Sequence, residues 1–190
     1  MPRPPILPVP DRRAIFESGL DFTAWLNLAE AQPNEDRMRA IYDETTIDET
    51  TRSALAAIDR EVNVIAIAES WCGDVVRHTP VLMRLAEVNP LIRVRFVARE
   101  QHPDFFVRFL TNGGEAIPKF VVCAANFNEV GSWGPMSSTP RLMIAKGKAC
   151  GDGGGARKLV GAFYEADGNR ETIAELLALF QTASFAGFPS

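Results

Sequence analysis

The chain has little of the chemistry from which most recognisable sites are built, with two histidines, three cysteines and two tyrosines among its 190 residues. Neither His78 nor His102 stands at zinc-ligand spacing from a cysteine pair, so no metal site is expected. Cys72, Cys123 and Cys150 are odd in number and far apart, which argues against a disulfide framework and fits a reducing compartment. Basic clusters are missing as well. No Lys/Arg run exceeds the pair Arg12-Arg13, and the net charge is -4, so neither nucleic acid nor an anionic membrane surface is expected as a partner. No apolar run approaches the roughly 20 residues of a membrane helix. The proline-broken opening, Pro2 to Pro10, does not read as a signal peptide, and a cytoplasmic location is expected.

What is present is an ordinary globular composition, 46% hydrophobic and 23% charged, sized for one compact domain. Residues 1–20 read as an arm. Phe22, Trp25, Leu26 and Leu28 recur at helical spacing, which predicts a helix from Asp21, its N-cap, to Ala31. Pro33-Asn34 breaks it, and further helices are predicted from Glu35 to about Tyr42 and from Glu49 onward, with Leu55, Ile58 and Val62 marking a buried face. Residues 21–61 thus form a helical extension.

From Val62 the pattern changes. Val62–Ala68 is a continuous apolar run, as in a strand buried on both faces. A helix follows from Val75 to Val88, with Pro80 inside it, then a strand over Leu91–Ala98 and a helix over Asp104–Leu110. Asn112-Gly113-Gly114 ends that helix. Pro118 opens a strand over Lys119–Ala124, and Glu129–Trp133 is short enough to pair with it antiparallel. Thr139-Pro140 reads as a helix start, Gly151–Gly155 as a flexible connector, and Ile173, Leu176, Leu177 and Phe180 as the buried face of a last helix. Two strands joined by a helix imply a parallel pair with a right-handed crossover. The expected fold is therefore α/β, a mixed sheet of about four strands flanked by helices over residues 62–190.

The stretch Glu69-Ser70-Trp71-Cys72-Gly73-Asp74-Val75, between a buried strand and a helix, resembles the active-site turn of the thioredoxin superfamily, Trp-Cys-Gly-x-Cys. Pro80, eight residues after Cys72, resembles the proline that kinks the active-site helix of that superfamily. Ile117-Pro118 resembles the cis-proline loop that faces the cysteine. The wider pattern, Glu-x-Trp-Cys-Gly-Asp, then Gly-Gly-x-x-Ile-Pro-Lys and Gly-x-Trp-Gly-Pro, is similar to a bacterial thioredoxin-like subfamily. The resemblance implies a thioredoxin-like fold, Cys72 as nucleophile, and Trp71, Gly73, Asp74, Ile117 and Pro118 as substrate contacts.

The departures from the pattern set the chemistry. Val75 stands where the family has its second cysteine, Ala66 where it has a buried acid, and Asp74 where it usually has proline. A dithiol cycle at this turn is excluded. The helix terminus behind Cys72 favours a thiolate, whereas Asp74 in the same turn opposes it. One thiol still allows half of thiol–disulfide exchange, with the mixed disulfide released by an outside thiol. The expected partner is then a disulfide-containing protein or a low-molecular-weight thiol, and no cofactor is required. The alternative is a non-catalytic thioredoxin-fold module that binds a partner through the same cleft, with Cys72 a relic and Trp71 a packing residue. Iron–sulfur binding of the monothiol glutaredoxin kind is not reproduced by the residues here. Cys123, in an apolar strand, reads as core. Cys150 reads as exposed and as a distant resolving candidate, and His78 as a surface residue beside Asp74.

Overall fold

The computed structural model describes residues 7–28 and 32–186. Residues 1–6 of the expected arm, and Ala31 at the end of the first expected helix, lie outside that range. Residues 7–10 carry no regular structure and are largely exposed, but from Asp11 the expected arm is folded. Asp11 accepts a hydrogen bond from Ala14 N at 3.0 Å and caps α1, Arg12–Ser18, which buries Ile15 and Phe16. Leu20 then exchanges two backbone hydrogen bonds with Phe96, 2.9 and 2.8 Å, closing the outer edge of the sheet.

Helix α2 is Phe22–Leu26, shorter than its pattern predicts, because Asn27 already caps it and Leu28 is exposed. Asp21 does cap its start, accepting from Ala24 N at 2.8 Å. Helix α3, Glu35–Glu44, carries Glu35 and Asp36 in its first turn, where the helix dipole favours them, and buries Met38. Helix α4, Glu49–Ala56, is capped by Asp48, which accepts from Thr51 N at 2.7 Å.

Strand β1, Val62–Ile67, is buried at all six positions. Its one polar residue, Asn63, is satisfied by Ala124 O and Arg93. Helix α5, Gly73–Ala86, crosses to β2, Ile92–Val97, which pairs parallel to β1. A short helix α6, Pro103–Phe106, continues as a 3-10 turn to Phe109. Strand β3, Lys119–Cys123, runs antiparallel to β1, and β4, Glu129–Trp133, antiparallel to β3. The sheet order is β2-β1-β3-β4. Val64, Ile65, Phe120, Val121, Leu176 and Phe180 form part of a core with essentially no exposure. This is the α/β mixed sheet that the sequence leads one to expect.

The glycine-rich stretch is a correction. Gly151, at φ +71°, turns the chain, but Gly153–Gly155 form the first turn of α8, Gly153–Asp167. Asp152 caps it by accepting from Gly155 N at 2.8 Å, and a Cβ at Gly155 would meet that carboxylate at 2.1 Å. A Cβ on Gly147 would likewise come to 2.3 Å from the Ala156 Cβ. These glycines let α8 fold tightly back on α7, Ser138–Ala149, rather than loosen the chain. Helix α7 itself starts two residues earlier than Thr139-Pro140 suggests for the cap, with Ser137 at its N-cap. The last described element is α9, Arg170–Ala186. Among the described residues no helix is long and apolar enough to cross a membrane.

Candidate functional site

Strand β1 ends at Ile67, and the chain reaches α5 through Ala68–Cys72. That short turn is anchored from three sides. Trp25 donates its indole N–H to Ala68 O at 3.3 Å, Asn34 donates to Ser70 O at 2.8 Å, and Cys72 N donates to Glu69 O at 3.1 Å. Cys72 is the N-cap of α5, with extended backbone, and its carbonyl accepts from Val76 N at 3.0 Å. The N–H groups of the first helical turn therefore lie beside the thiol without intrahelical partners. Cys72 is half-buried.

The thiol faces the loop before β3. Cys72 Sγ donates to Ile117 O at 3.5 Å, and the Ile117–Pro118 peptide bond is cis. The two expected features, turn and proline loop, are thus in contact. Ile117 and Pro118 are buried, while Gly73 is exposed with open space around it. A second cis bond, Gly134–Pro135, lies beside the first, because Gly134 at φ +115° packs where a Cβ would come to 2.1 Å from Pro118 O.

Trp71 is 57% exposed, so it is not a core packing residue. Its ring lies under the Arg99 guanidinium, 5.3 Å from centroid to Cζ. Arg99 joins the site together: its backbone N–H and Nε donate to Glu69 at 3.1 and 2.7 Å, and its Nη1 donates to Glu115 at 3.1 Å. Sequence reasoning named Glu69 only as part of a motif and missed Arg99, whose position 27 residues after Cys72 gives no local signal.

The position of the missing second cysteine, Val75, is completely buried, as is Ala66. Asp74 is partly buried, and desolvation holds its carboxyl above the usual carboxylate range against the opposing charge of Arg77. His78 corrects an expectation: it is not at the surface beside Asp74 but has no exposure at all. It bonds Tyr164 Oη at 3.0 Å and stands edge-on to Trp133, with ring centroids 4.8 Å apart. Burial, with Arg77 nearby, pushes its pKa down to about 3, so the ring is neutral. The reason is its face of α5: six residues past Cys72, it points inward to where α8 folds over.

Lys119, directly after Pro118, is marked by the sequence pattern only as the start of a strand. It is buried, and its Nζ donates to Thr111 Oγ1 at 2.6 Å and to Gly134 O at 3.0 Å, tying the proline loop to the chain on both sides. Desolvation, and then the charge of Arg141, lower its pKa to about 8. Cys123 is buried in β3 and its thiol is pushed up to about 12 by burial. Cys150 is exposed at the end of α7. All three cysteines are free, and among the described residues no three His, Cys, Asp or Glu side chains converge to hold a metal.

The family model described as Thioredoxin matches residues 19–148. No curated protein matches the sequence. Among solved structures, the chain is similar to a protein of unknown function from Pseudomonas aeruginosa, at 20% identity and a TM-score of 0.68, over 92% of this chain and 99% of that one. It is also similar to an HIV epitope-scaffold, at 22% identity and a TM-score of 0.68, over 90% and 98% of the two chains.

Proposed function

Because the chain belongs to the thioredoxin family, we propose that it performs monothiol thiol–disulfide exchange through Cys72. The observation that carries this reading is the placement of Cys72, half-exposed at the N-cap of α5 and 3.5 Å from the Ile117 carbonyl of the cis-proline loop. In the first step the Cys72 thiolate attacks one sulfur of a disulfide. The S–S bond breaks, a Cys72 mixed disulfide forms, and the other half leaves as a thiolate that takes a proton from water. In the second step an external thiolate attacks the substrate's sulfur in the mixed disulfide and releases Cys72. Buried Val75 offers no internal thiol for that step, so the cycle needs a thiol supply, as in a reducing cytoplasm.

The exposed face of Trp71, with Gly73 and Asp74 beside it, suits contact with the incoming disulfide. The Ile117–Pro118 backbone is the edge along which an extended segment would lie. The fold serves as the rigid frame that keeps these groups together. A second reading, a non-catalytic module that binds a partner in the same cleft, is favoured by the Asp74 carboxylate in the turn that would have to accommodate a thiolate. Exchange between a model disulfide and a small thiol, measured with and without the protein, decides between them. Acceleration that vanishes in Cys72→Ser supports exchange. A rate equal to the uncatalysed one, with the folded protein present, leaves the binding module.

A further inference from the structure

A groove of about 1020 Å³, at the upper end of the size of small-molecule cavities, runs along residues 111–116, the loop that leads into the Cys72 contact Ile117. Asp74, two residues after Cys72, and Ala116, next to its contact Ile117, are among the lining residues. Helix α7 and the start of α8 form a further wall, which carries Arg141, Lys148 and Arg157. This wall is held in place from α9. Glu171 accepts from Thr139 N and Oγ1, and Glu175 accepts from Ser138 N at 3.0 Å and from the Trp133 indole at 2.6 Å, so two carboxylates cap α7.

Lys148 and Arg157 are exposed, and among the described residues neither has a carboxylate within ion-pair distance. Arg141 donates only a long bond, 3.5 Å, to Met136 O. Of the two carboxylates on the groove, Glu115 is already paired with Arg99 at 3.1 Å. The other is Asp74, two residues after Cys72. The groove thus brings unpaired cations to the loop that contacts the Cys72 thiol, in a chain whose net charge is -4.

We propose that this groove binds a small, net anionic thiol or its disulfide, of about the size of a short peptide, and presents its sulfur to Cys72. The proposal rests on the exchange reading and names its low-molecular-weight partner. The carboxylates of the ligand lie against Lys148 and Arg157, and the sulfur lies toward Ile117. In one direction its disulfide is attacked by Cys72 and half of it leaves as thiolate. In the other its thiolate releases a mixed disulfide held on Cys72.

Three size-matched disulfides test it: 3,3′-dithiodipropionate (anionic), bis(2-hydroxyethyl) disulfide (neutral) and cystamine (cationic). Each rate of Cys72 adduct formation, read by intact mass and peptide mapping, is divided by that of a cysteine peptide. The anionic probe should lead the neutral one by about tenfold at low salt and lose that lead at high salt. Lys148→Gln/Arg157→Gln should bring the ratio to about one, whereas Lys146→Gln/Lys158→Gln, the same charge change on the same helices away from the groove, should keep it. Equal normalised rates for the three probes overturn the groove proposal and leave exchange standing. If Cys72 forms no adduct with any probe, exchange fails instead. The groove is then decided by titrating Cys72→Ser with S-methylglutathione, an anionic thioether that cannot exchange. Saturable binding lost in Lys148→Gln/Arg157→Gln upholds an anion site, and no binding overturns it.

Discussion

At the scale of single residues, the behaviour of Cys72 is governed by what shares its turn. Asp74 is partly buried and retains its proton more strongly than a free carboxyl because of desolvation. Once ionised, it places a negative charge beside a developing thiolate. Asp74→Asn should therefore speed alkylation of Cys72 at fixed neutral pH by a factor of a few, and the gap between variant and parent should widen as pH rises through the Asp74 titration. Stopped-flow labelling checks both; an unchanged rate would mean that the carboxylate does not act on the thiol. His78 makes a second prediction. Its folded pKa, about 3, lies below the unfolded value near 6.5, so between the two the unfolded chain binds more protons. Its stabilising contribution is present above about pH 6.5 and is lost as pH falls toward 3. Thermal melts from pH 7 to 4 should show a shallower decline for His78→Phe than for the parent, although the variant is less stable at pH 7 because the Tyr164 hydroxyl loses its partner. At this scale the sequence was readable for Cys72, Val75 and Cys123, whose types alone limit their chemistry. It was misleading for His78, because spacing from Cys72 gives the helix face but not which element covers that face.

At the scale of elements, the site is one strand-to-helix turn set against one loop. Val75 occupies the buried inner position of the first turn of α5. Val75→Cys should supply the resolving thiol, since that spacing at a helix start falls within the Cα separation a disulfide tolerates. The variant should reduce insulin in the presence of a dithiol regenerator while the parent stays near background, at a stability cost of about 1 kcal/mol for the smaller side chain. Equal activity in both would show that Cys150 already resolves. Opposite the turn, Gly134 packs so closely on Pro118 O that Gly134→Ala should destabilise the fold by about 2 kcal/mol or more, read by denaturant unfolding. A cost within a few tenths of that of a surface alanine would mean that β4 moves aside freely. The strands and the proline loop were legible because apolar runs, turn residues and the Ile-Pro-Lys context mark them locally. The register of α7 and α8 was not. Their glycines signal looseness in a one-dimensional reading, whereas here they permit a helix cap at Asp152 and close helix packing at Gly147. The carboxylates that cap α7 come from α9, more than thirty residues away.

At the scale of the molecule, the sheet and its helices hold the Cys72 turn, the Pro118 loop and the α7–α8 wall in one frame. The central α/β architecture could be read from the order of apolar runs and helical patterns. The folding of α1 onto the edge of β2 could not, because Ile15 and Phe16 are too few to give a periodic signal over seven residues. Arg99 and Lys119, which join separate elements, were hidden for another reason: a hydrogen bond between elements leaves no local pattern. The proposed exchange rests on this frame making Cys72 the thiol that forms a mixed disulfide. Cys150, exposed at the end of α7, is an internal reference for an ordinary accessible cysteine, and buried Cys123 for an inaccessible one. The most direct measurement is a time course of the native, reduced protein with a small disulfide at neutral pH, quenched with acid and mapped by mass spectrometry. The adduct should appear on Cys72 ahead of Cys150, Cys123 should stay free, and added thiol should return Cys72 to its reduced state. An adduct on Cys150 while Cys72 remains a free thiol would contradict the proposed exchange.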